Sequence, residues 1–79
     1  MPRWQYAEFE WDDGNIEHLA DRHQTAPNHA ESALRNSTSV RRVRGSRYEA
    51  VGRTDDGHFL VVVFEYRNGK VRVISARDL

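Results

Sequence analysis

Arginine is the residue type in this sequence best suited to chemistry on an anionic substrate. Eleven of the 12 basic residues are arginines. A guanidinium binds phosphate oxygens through two parallel hydrogen bonds and also stacks on nucleic-acid bases. Arginines close to an aromatic ring are typical of surfaces that hold an RNA backbone and stack a base. On this interpretation the candidate RNA contacts are Arg47, Tyr48, Arg53, Arg72 and Arg77.

The same arginines also have a purely structural interpretation. In the sheet predicted below, Glu65 lies across from both Arg47 and Arg72, and opposite charges on neighbouring strands stabilise a sheet. Arg53 and Arg77 reach the same end of that sheet, and Ser75 shares the strand parity of Arg77. The sequence leaves RNA binding and cross-strand pairing equally open.

His23 is the candidate for proton transfer. It extends the apolar stripe of the first predicted helix to its C-terminal end, where the helix dipole favours a protonated imidazole. A general acid or base beside a phosphodiester is one role for such a residue. The alternative is a histidine that caps the terminal carbonyls and packs on the sheet.

Several other chemistries find no support in the sequence. It contains no glycine-rich phosphate loop, no HExxH motif and no serine in a nucleophile elbow. His18 and His23 are five residues apart, about 140 degrees around a helix, which is a poor arrangement for chelating one metal ion. With no cysteine, the chain has neither disulfides nor thiolate ligands. We therefore expect no metal and no cofactor.

Composition predicts one soluble domain over residues 1–79. The 12 basic and 12 acidic residues cancel, so the overall charge does not attract nucleic acid. Acidic residues nevertheless predominate up to Leu34, and basic residues predominate from Arg35 onwards. No apolar run has the length of a signal peptide or a membrane span. These features predict a cytoplasmic protein.

The candidate residues are positioned by three extended segments, 47–53, 58–66 and 70–76. Asn68-Gly69 predicts a two-residue type I′ turn between the last two, and Gly57 predicts a three-residue loop between the first two. A two-residue loop there would shift the first segment by one residue, and the sequence does not exclude it. The expected cross-strand neighbours are Phe64 with Val73, Val62 with Ser75, Glu65 with Arg72, Arg47 with Glu65, Tyr48 with Phe64 and Arg53 with Phe59.

Two helices and two shorter strands are predicted before these segments. Residues 5–11 form a short strand, Asp12 caps a helix of about three turns, and a second helix begins at Pro27 after Thr25 or Ala26. A further strand covers 40–44, with a bulge or an edge position. The expected fold is α+β, with both helices on one face of an antiparallel meander of three to four strands. The residues expected to face the sheet are Ile16, Leu19, Ala20 and His23 in the first helix and Ala30, Ala33 and Leu34 in the second.

Placed on these elements, the sequence resembles the BrnT family of toxins. The N-terminal half of the resemblance is carried by Phe9-Glu-Trp-Asp12, Asn15, Leu19, Arg22-His23, Pro27, Glu31 and Ala33-Leu34. The C-terminal half is carried by Arg47-Tyr-Glu-Ala-Val-Gly-Arg53 and Val71-Arg-Val-Ile-Ser-Ala-Arg77. The ending Val-Ile-Ser-Ala-Arg is its most specific part.

The resemblance implies a RelE-like fold and a small endoribonuclease that acts without a metal and halts translation. It also implies a cognate ribbon-helix-helix antitoxin that forms a hetero-oligomer with the toxin, blocks it and represses the operon. Carried over by position, the catalytic candidates are His23, Arg53 and Arg77, and Ser75 joins Arg47, Tyr48 and Arg72 in substrate binding. The alternatives are a non-catalytic member of the family that binds a protein partner, and an RNA binder without cleavage.

Overall fold

A computed structural model describes residue 4 and residues 7–20 and 25–79 of the chain. The described elements are β1 Glu8–Phe9, α1 Asp13–His18, α2 Pro27–Arg35, β2 Ser37–Arg44, β3 Arg47–Arg53, β4 Phe59–Arg67 and β5 Lys70–Asp78. One sheet contains all five strands in the order β1-β5-β4-β3-β2. Strands β2 to β5 form the antiparallel meander, and β1 adds to β5 in parallel. The predicted α+β class and element order are confirmed.

The two predicted turns set the register of the meander. Asn68 and Gly69 both have positive φ, 55° and 75°, as a type I′ turn requires. Gly57 has a φ of 93°, which confirms its left-handed position in the β3–β4 loop. The observed register between β3 and β4 is the one predicted with a three-residue loop. Its three predicted pairs are confirmed: Arg47 with Glu65, Tyr48 with Phe64 and Arg53 with Phe59.

A β-bulge in β5 alters the register that the sequence predicts. Near the turn, Phe64 faces Val73 as expected, but Val63 then faces Ser75, so Ile74 is an extra residue in β5. The predicted pairing of Val62 with Ser75 is therefore wrong, because Val62 faces Ala76. Beyond the bulge, every side chain of β5 lies on the face opposite to the one that strict alternation gives.

The hydrophobic core lies between the helices and one face of the sheet. Helix α2 buries Ala30, Ala33 and Leu34 completely, as predicted. It packs very closely on β3, because a Cβ added at Gly52 would lie 1.7 Å from the carbonyl oxygen of Ala33. The sheet contributes Ala50, Leu60, Val62, Phe64, Val71, Val73 and Ala76.

Helix α1 covers Asp13–His18, and the end of the predicted three-turn helix lies outside the described residues. Asp12 is its N-cap, as predicted, and forms a capping box with Asn15. Leu19 is fully buried, as predicted, whereas Ile16 is 36% exposed and Ala20 is exposed, so the prediction that these two face the sheet is wrong. The buried position on the sheet side belongs to Asn15, whose Nδ2 donates to the carbonyl oxygens of Glu10 and Val73 at 3.0 and 3.5 Å. A polar side chain therefore joins α1 to β5. The predicted core position of His23 lies outside the described residues.

Neither described helix covers the other face of the sheet, which we call the open face. Alternation along the strands brings Val51, Val61 and Val63 to its centre. Val61 is only 5% exposed there, between its cross-strand neighbours Val51 and Arg77. The open face thus has an apolar centre, which is bordered on one side by the Arg41–Glu49 ion pair, and its other charged residues lie towards the two ends of the strands.

Candidate functional site

Arg53 and Arg77 lie on the open face at one end of the sheet. Arg53 follows Gly52, which contacts α2, and Arg77 follows the fully buried Ala76, so alternation directs both side chains away from the helices. They flank β4, with Arg53 opposite Phe59 and Arg77 opposite Val61. Two strand spacings and a stagger of two residues separate their backbones by roughly 12 Å. The bulge at Ile74 is what places Arg77 on this face.

Both guanidiniums are available to an anionic ligand. Arg53 and Arg77 are exposed, and no carboxylate of the described residues lies within ion-pair distance of either. The guanidinium of Arg53 lies against the β3–β4 turn, because a Cβ added at Gly57 would be 3.5 Å from its Nη2. Glycine at that position gives the arginine room to lie flat on the turn.

Phe59 is the aromatic residue that accompanies these arginines, and the sequence interpretation missed it. It lies directly across from Arg53 and is 45% exposed. Tyr48 lies on the opposite face, where its ring centroid is 5.5 Å from that of Phe64 and 5.7 Å from that of Trp4. The structure therefore does not bring Tyr48 together with the arginines. The predicted pairing of Arg53 with Phe59 already contained the information that identifies Phe59.

The arginines at the other end of the sheet are paired with carboxylates. Arg47 lies 3.6 Å from Glu65, as the structural interpretation predicted. Arg72 donates instead to both carboxylate oxygens of Asp12, at 2.7 and 3.2 Å, and lies 3.7 Å from Glu10. The hydrogen bond from Arg72 lowers the pKa of Asp12, and the same bond raises the pKa of Arg72. The ion pair of Arg47 thus joins β3 to β4, and the ion pair of Arg72 joins β5 to the N-cap of α1.

Ser75 lies on the open face between these two groups of arginines. It faces Val63 and is half-buried, and the bulge puts it on the same face as Arg77. His23 lies outside the described residues. Of the other carried-over residues, Arg53 and Arg77 share one end of the open face, and Ser75 lies between them and the end that holds Arg47 and Arg72.

A polar cavity of about 290 Å³ lies on the helix side of the same end of the sheet. The β3–β4 turn forms one wall, the start of α2 another and the end of β5 a third. Its polar lining residues are Thr25, His29, Thr54, Asp56, His58 and Asp78. The hydroxyl of Thr54 donates to Asp56, and this bond lowers the pKa of the Asp56 carboxyl. The cavity and the Arg53–Arg77 surface therefore share one rim of the sheet.

This arrangement supports phosphate binding and proton transfer. Two cations on an exposed surface can hold a phosphodiester, and imidazoles and carboxylates can accept and donate protons. No three acidic or histidine side chains of residues 7–20 and 25–79 are placed to hold one metal ion. The described helices are all too short or too polar to cross a bilayer.

Comparisons with known proteins agree with this geometry. The chain is similar in structure to the Brucella abortus ribonuclease toxin BrnT, known from a 1.1 Å crystal structure, with a TM-score of 0.75 and 21% sequence identity. The match covers 92% of this chain and 96% of that one, and it establishes a shared fold. No curated protein sequence matched the chain.

The family is established by sequence. Residues 11–79 match the sequence model of a family described as ribonuclease toxins of type II toxin-antitoxin systems. That family is BrnT, and this chain belongs to it. The resemblance inferred from the sequence is confirmed.

Proposed function

We propose that this protein is a metal-independent endoribonuclease that inhibits translation, with its phosphate-binding site at Arg53 and Arg77. The observation that carries the proposal is the pair of exposed guanidiniums on one end of the open face, neither of them neutralised by a described carboxylate. Membership of a ribonuclease toxin family gives RNA as the substrate class.

The proposed reaction is attack by a ribose 2′-hydroxyl on the adjacent phosphorus. The phosphorane that forms carries more negative charge than the diester, and a guanidinium fixed beside it stabilises that charge. Arg53 and Arg77 are assigned this role, and the exposed ring of Phe59 stacks a neighbouring base. Ser75 offers a hydroxyl group to the RNA backbone. Histidine is the residue for proton transfer, and the sequence resemblance assigns that role to His23.

The remaining substrate-binding candidates have weaker support. Arg47 and Arg72 are engaged by Glu65 and Asp12, so RNA would compete with these carboxylates for them. Tyr48 is packed among aromatic rings on the helix side. The RNA path that the geometry favours therefore crosses the Arg53–Arg77 end of the sheet.

The proposed partner is a ribbon-helix-helix antitoxin acting with the toxin in the cytoplasm. Type II systems pair a toxin with a protein antitoxin, and the family places this chain in such a system. The apolar centre of the open face, formed by Val51, Val61 and Val63, is the surface we assign to the antitoxin. Contact there would cover the route to Arg53 and Arg77.

Induced expression in a bacterial host tests the proposal. The wild-type chain is expected to arrest growth, and Arg53→Ala and Arg77→Ala are each expected to relieve the arrest. Arg67→Ala is the matched control, because Arg67 is an exposed arginine at the opposite end of β4. It should remain toxic. All three variants should reach the same soluble level and melting temperature as the wild type.

Purified protein provides the direct test of cleavage and of metal independence. RNA cleavage in the presence of EDTA is expected for the wild type, with a loss of about 100-fold or more for Arg53→Ala, the effect of removing one donor to a developing oxyanion. Absence of cleavage together with tight antitoxin binding would favour the protein-binding alternative. RNA retention without cleavage would favour the RNA-binding alternative.

A further inference from the structure

We propose that the polar cavity is the proton-transfer half of the active site, with His29 as the general acid and His58 as the general base. The inference rests on the proposed ribonuclease function and names the groups that move protons in it. It assigns to these two residues the steps that the sequence resemblance gives to His23.

The first support is the position of the cavity relative to the unpaired cations. Arg53 ends β3, the turn of residues 54–58 follows it, and Phe59 begins β4 directly across from Arg53. The guanidinium of Arg53 packs against Gly57 in this turn, while Asp56 and His58 of the same turn line the cavity. Arg53 lies on the open face and the cavity on the helix side, so the two meet at this turn. A phosphate held by Arg53 over Gly57 would therefore lie at the mouth of the cavity.

The second support is that the imidazoles come from two separate elements and line one polar space. His29 lies in the first turn of α2, and His58 is the last residue of the turn before β4. The backbone of His58 is fixed by Thr54, which donates from its backbone N–H to the carbonyl of His58 at 2.7 Å and accepts from the His58 N–H at 3.0 Å. The His58 side chain is thus exposed on a rigid turn.

Asp56 distinguishes the two roles. Its Oδ2 lies 4.0 Å from Nε2 of His29, and the hydroxyl of Thr54 holds its other oxygen. The hydrogen bond from Thr54 lowers the pKa of this carboxyl, and the neighbouring imidazoles of His58 and His29 lower it further. Of these two imidazoles, it is His29 that lies within ion-pair distance of Asp56. On this geometry His29 is assigned as the acid, Asp56 as its positioning residue, and His58 as the base.

The charges around the pair are mixed. The groups facing it are Asp56 from the turn, Asp78 from β5 and the guanidinium of Arg53 at the rim, with the hydroxyls of Thr25 and Thr54. Two carboxylates alone would repel a phosphate. The arginines offset that repulsion at the rim, so the scissile phosphate belongs between Arg53 and the two imidazoles rather than deep in the cavity.

The proposed step balances without a co-reactant. The 2′-oxygen forms a bond to phosphorus while its proton passes to the neutral imidazole of His58. The bond from phosphorus to the 5′-oxygen breaks, and His29 donates its proton to that oxygen. The products are a 2′,3′-cyclic phosphate and a 5′-hydroxyl end. Two imidazoles in opposite protonation states give a bell-shaped dependence of rate on pH.

The test is cleavage of a labelled single-stranded RNA by the full chain in EDTA across pH 5 to 9. His29→Gln and His58→Gln are each expected to reduce kcat/KM by about 100-fold or more, the usual size of a general acid or base contribution. His29→Gln should also remove the decline in rate at high pH, and His58→Gln the decline at low pH. His18→Gln, a histidine of α1 outside the cavity, is the matched control and should retain the wild-type profile.

Mass analysis of the fragments should find the cyclic phosphate, and a DNA of the same sequence should stay intact. If the wild type and Arg53→Ala both fail to cleave, the proposed function itself is wrong. If the wild type cleaves and both cavity variants keep its rate and its bell-shaped profile, the assignment of His29 and His58 is overturned. The assignment would also be overturned if His23→Gln lost the declines in rate at both low and high pH while His29→Gln and His58→Gln kept them.

Discussion

Four arginines of the sheet share one side-chain chemistry but differ in their partners. Arg72 is held by both oxygens of Asp12, and Arg47 lies beside Glu65. Arg53 and Arg77 have no such carboxylate among the described residues. A guanidinium that is already bonded must exchange partners to bind phosphate, whereas an unpaired one need not. Partner identity therefore distinguishes the arginines that stabilise the sheet from the two that we propose to bind phosphate.

The Asp12–Arg72 pair predicts a specific dependence of stability on pH. The folded-state pKa of Asp12 lies below its unfolded value, so its stabilising contribution is present above about pH 4 and is lost as the pH falls through the lower, folded value. Asp12→Asn should therefore lower the urea midpoint at pH 7 and have a smaller effect at pH 3. Asp13→Asn, which changes an adjacent exposed carboxylate, is the control. An equal effect of Asp12→Asn at both pH values would contradict the assignment.

The sequence identified the cations of the site better than the aromatic residue. Arg53 and Arg77 could be placed at one end of the sheet from turn chemistry alone. Tyr48 was chosen because it adjoins Arg47 in the chain, but neighbours in a strand point to opposite faces. Phe59 is distant in sequence and adjacent across the strands. The residues next to a given side chain on a sheet face are therefore found from the cross-strand pairing rather than from the order of the chain.

At the scale of elements, α2 packs against β3 with no room for a side chain at Gly52. Gly52→Ala would place a methyl group 1.7 Å from the carbonyl oxygen of Ala33, so the helix must move away from the sheet. We expect a loss of about 3 kcal/mol in the free energy of unfolding, at the upper end of the usual cost of overpacking. Urea denaturation monitored by tryptophan fluorescence would measure it.

Gly45→Ala provides the comparison for that variant. Gly45 has a φ of 57° and open space around its Cβ position. Alanine there is strained only by the left-handed backbone, at a cost of about 1 to 2 kcal/mol. Equal destabilisation by the two substitutions would show that α2 does not rest on β3 as described.

Local signals predicted the meander well and the long-range contacts poorly. Asn68-Gly69 and Gly57 predicted the pairs nearest to each turn, because turn type determines register, although the sequence left a shift of one residue open at the Gly57 loop. The bulge at Ile74 and the parallel pairing of β1 with β5 have no comparable local signal. Helix α1 also departs from its apolar period, because burial of Asn15 is favoured by hydrogen bonds to β5. Tertiary contacts decided each of these features.

At the scale of the whole molecule, zero net charge conceals a separation of charge along the chain. The edge strand β2 alone carries Arg41, Arg42 and Arg44, whereas the first 34 residues are mainly acidic. Binding of RNA would therefore depend on local cations rather than on overall attraction. The family match supports the proposed ribonuclease function, and the structural match shows the shared fold.

The salt dependence of RNA binding tests how many cations contact phosphates. For single strands the slope of log affinity against log salt changes by about 0.7 per phosphate contact. The double variant Arg53→Ala and Arg77→Ala is expected to flatten that slope by about 1.4. Fluorescence anisotropy with a labelled RNA from 50 to 300 mM salt, roughly the range in which such slopes are read, would measure it. Arg67→Ala should leave the slope unchanged, and a similar slope for all variants would place the RNA elsewhere.

The extra residue in β5 gives the strand one residue of spare length near its C-terminal end. Loss of the single codon for Ile74 would remove the bulge, and Val73 and Ser75 would then be direct neighbours on opposite faces, as they already lie. Val62 would still face Ala76, and Val61 would still face Arg77. A residue inserted between Ser75 and Ala76 would instead send the rest of the strand to the opposite face. Tolerance in this stretch should therefore be higher for the loss of Ile74 than for such an insertion.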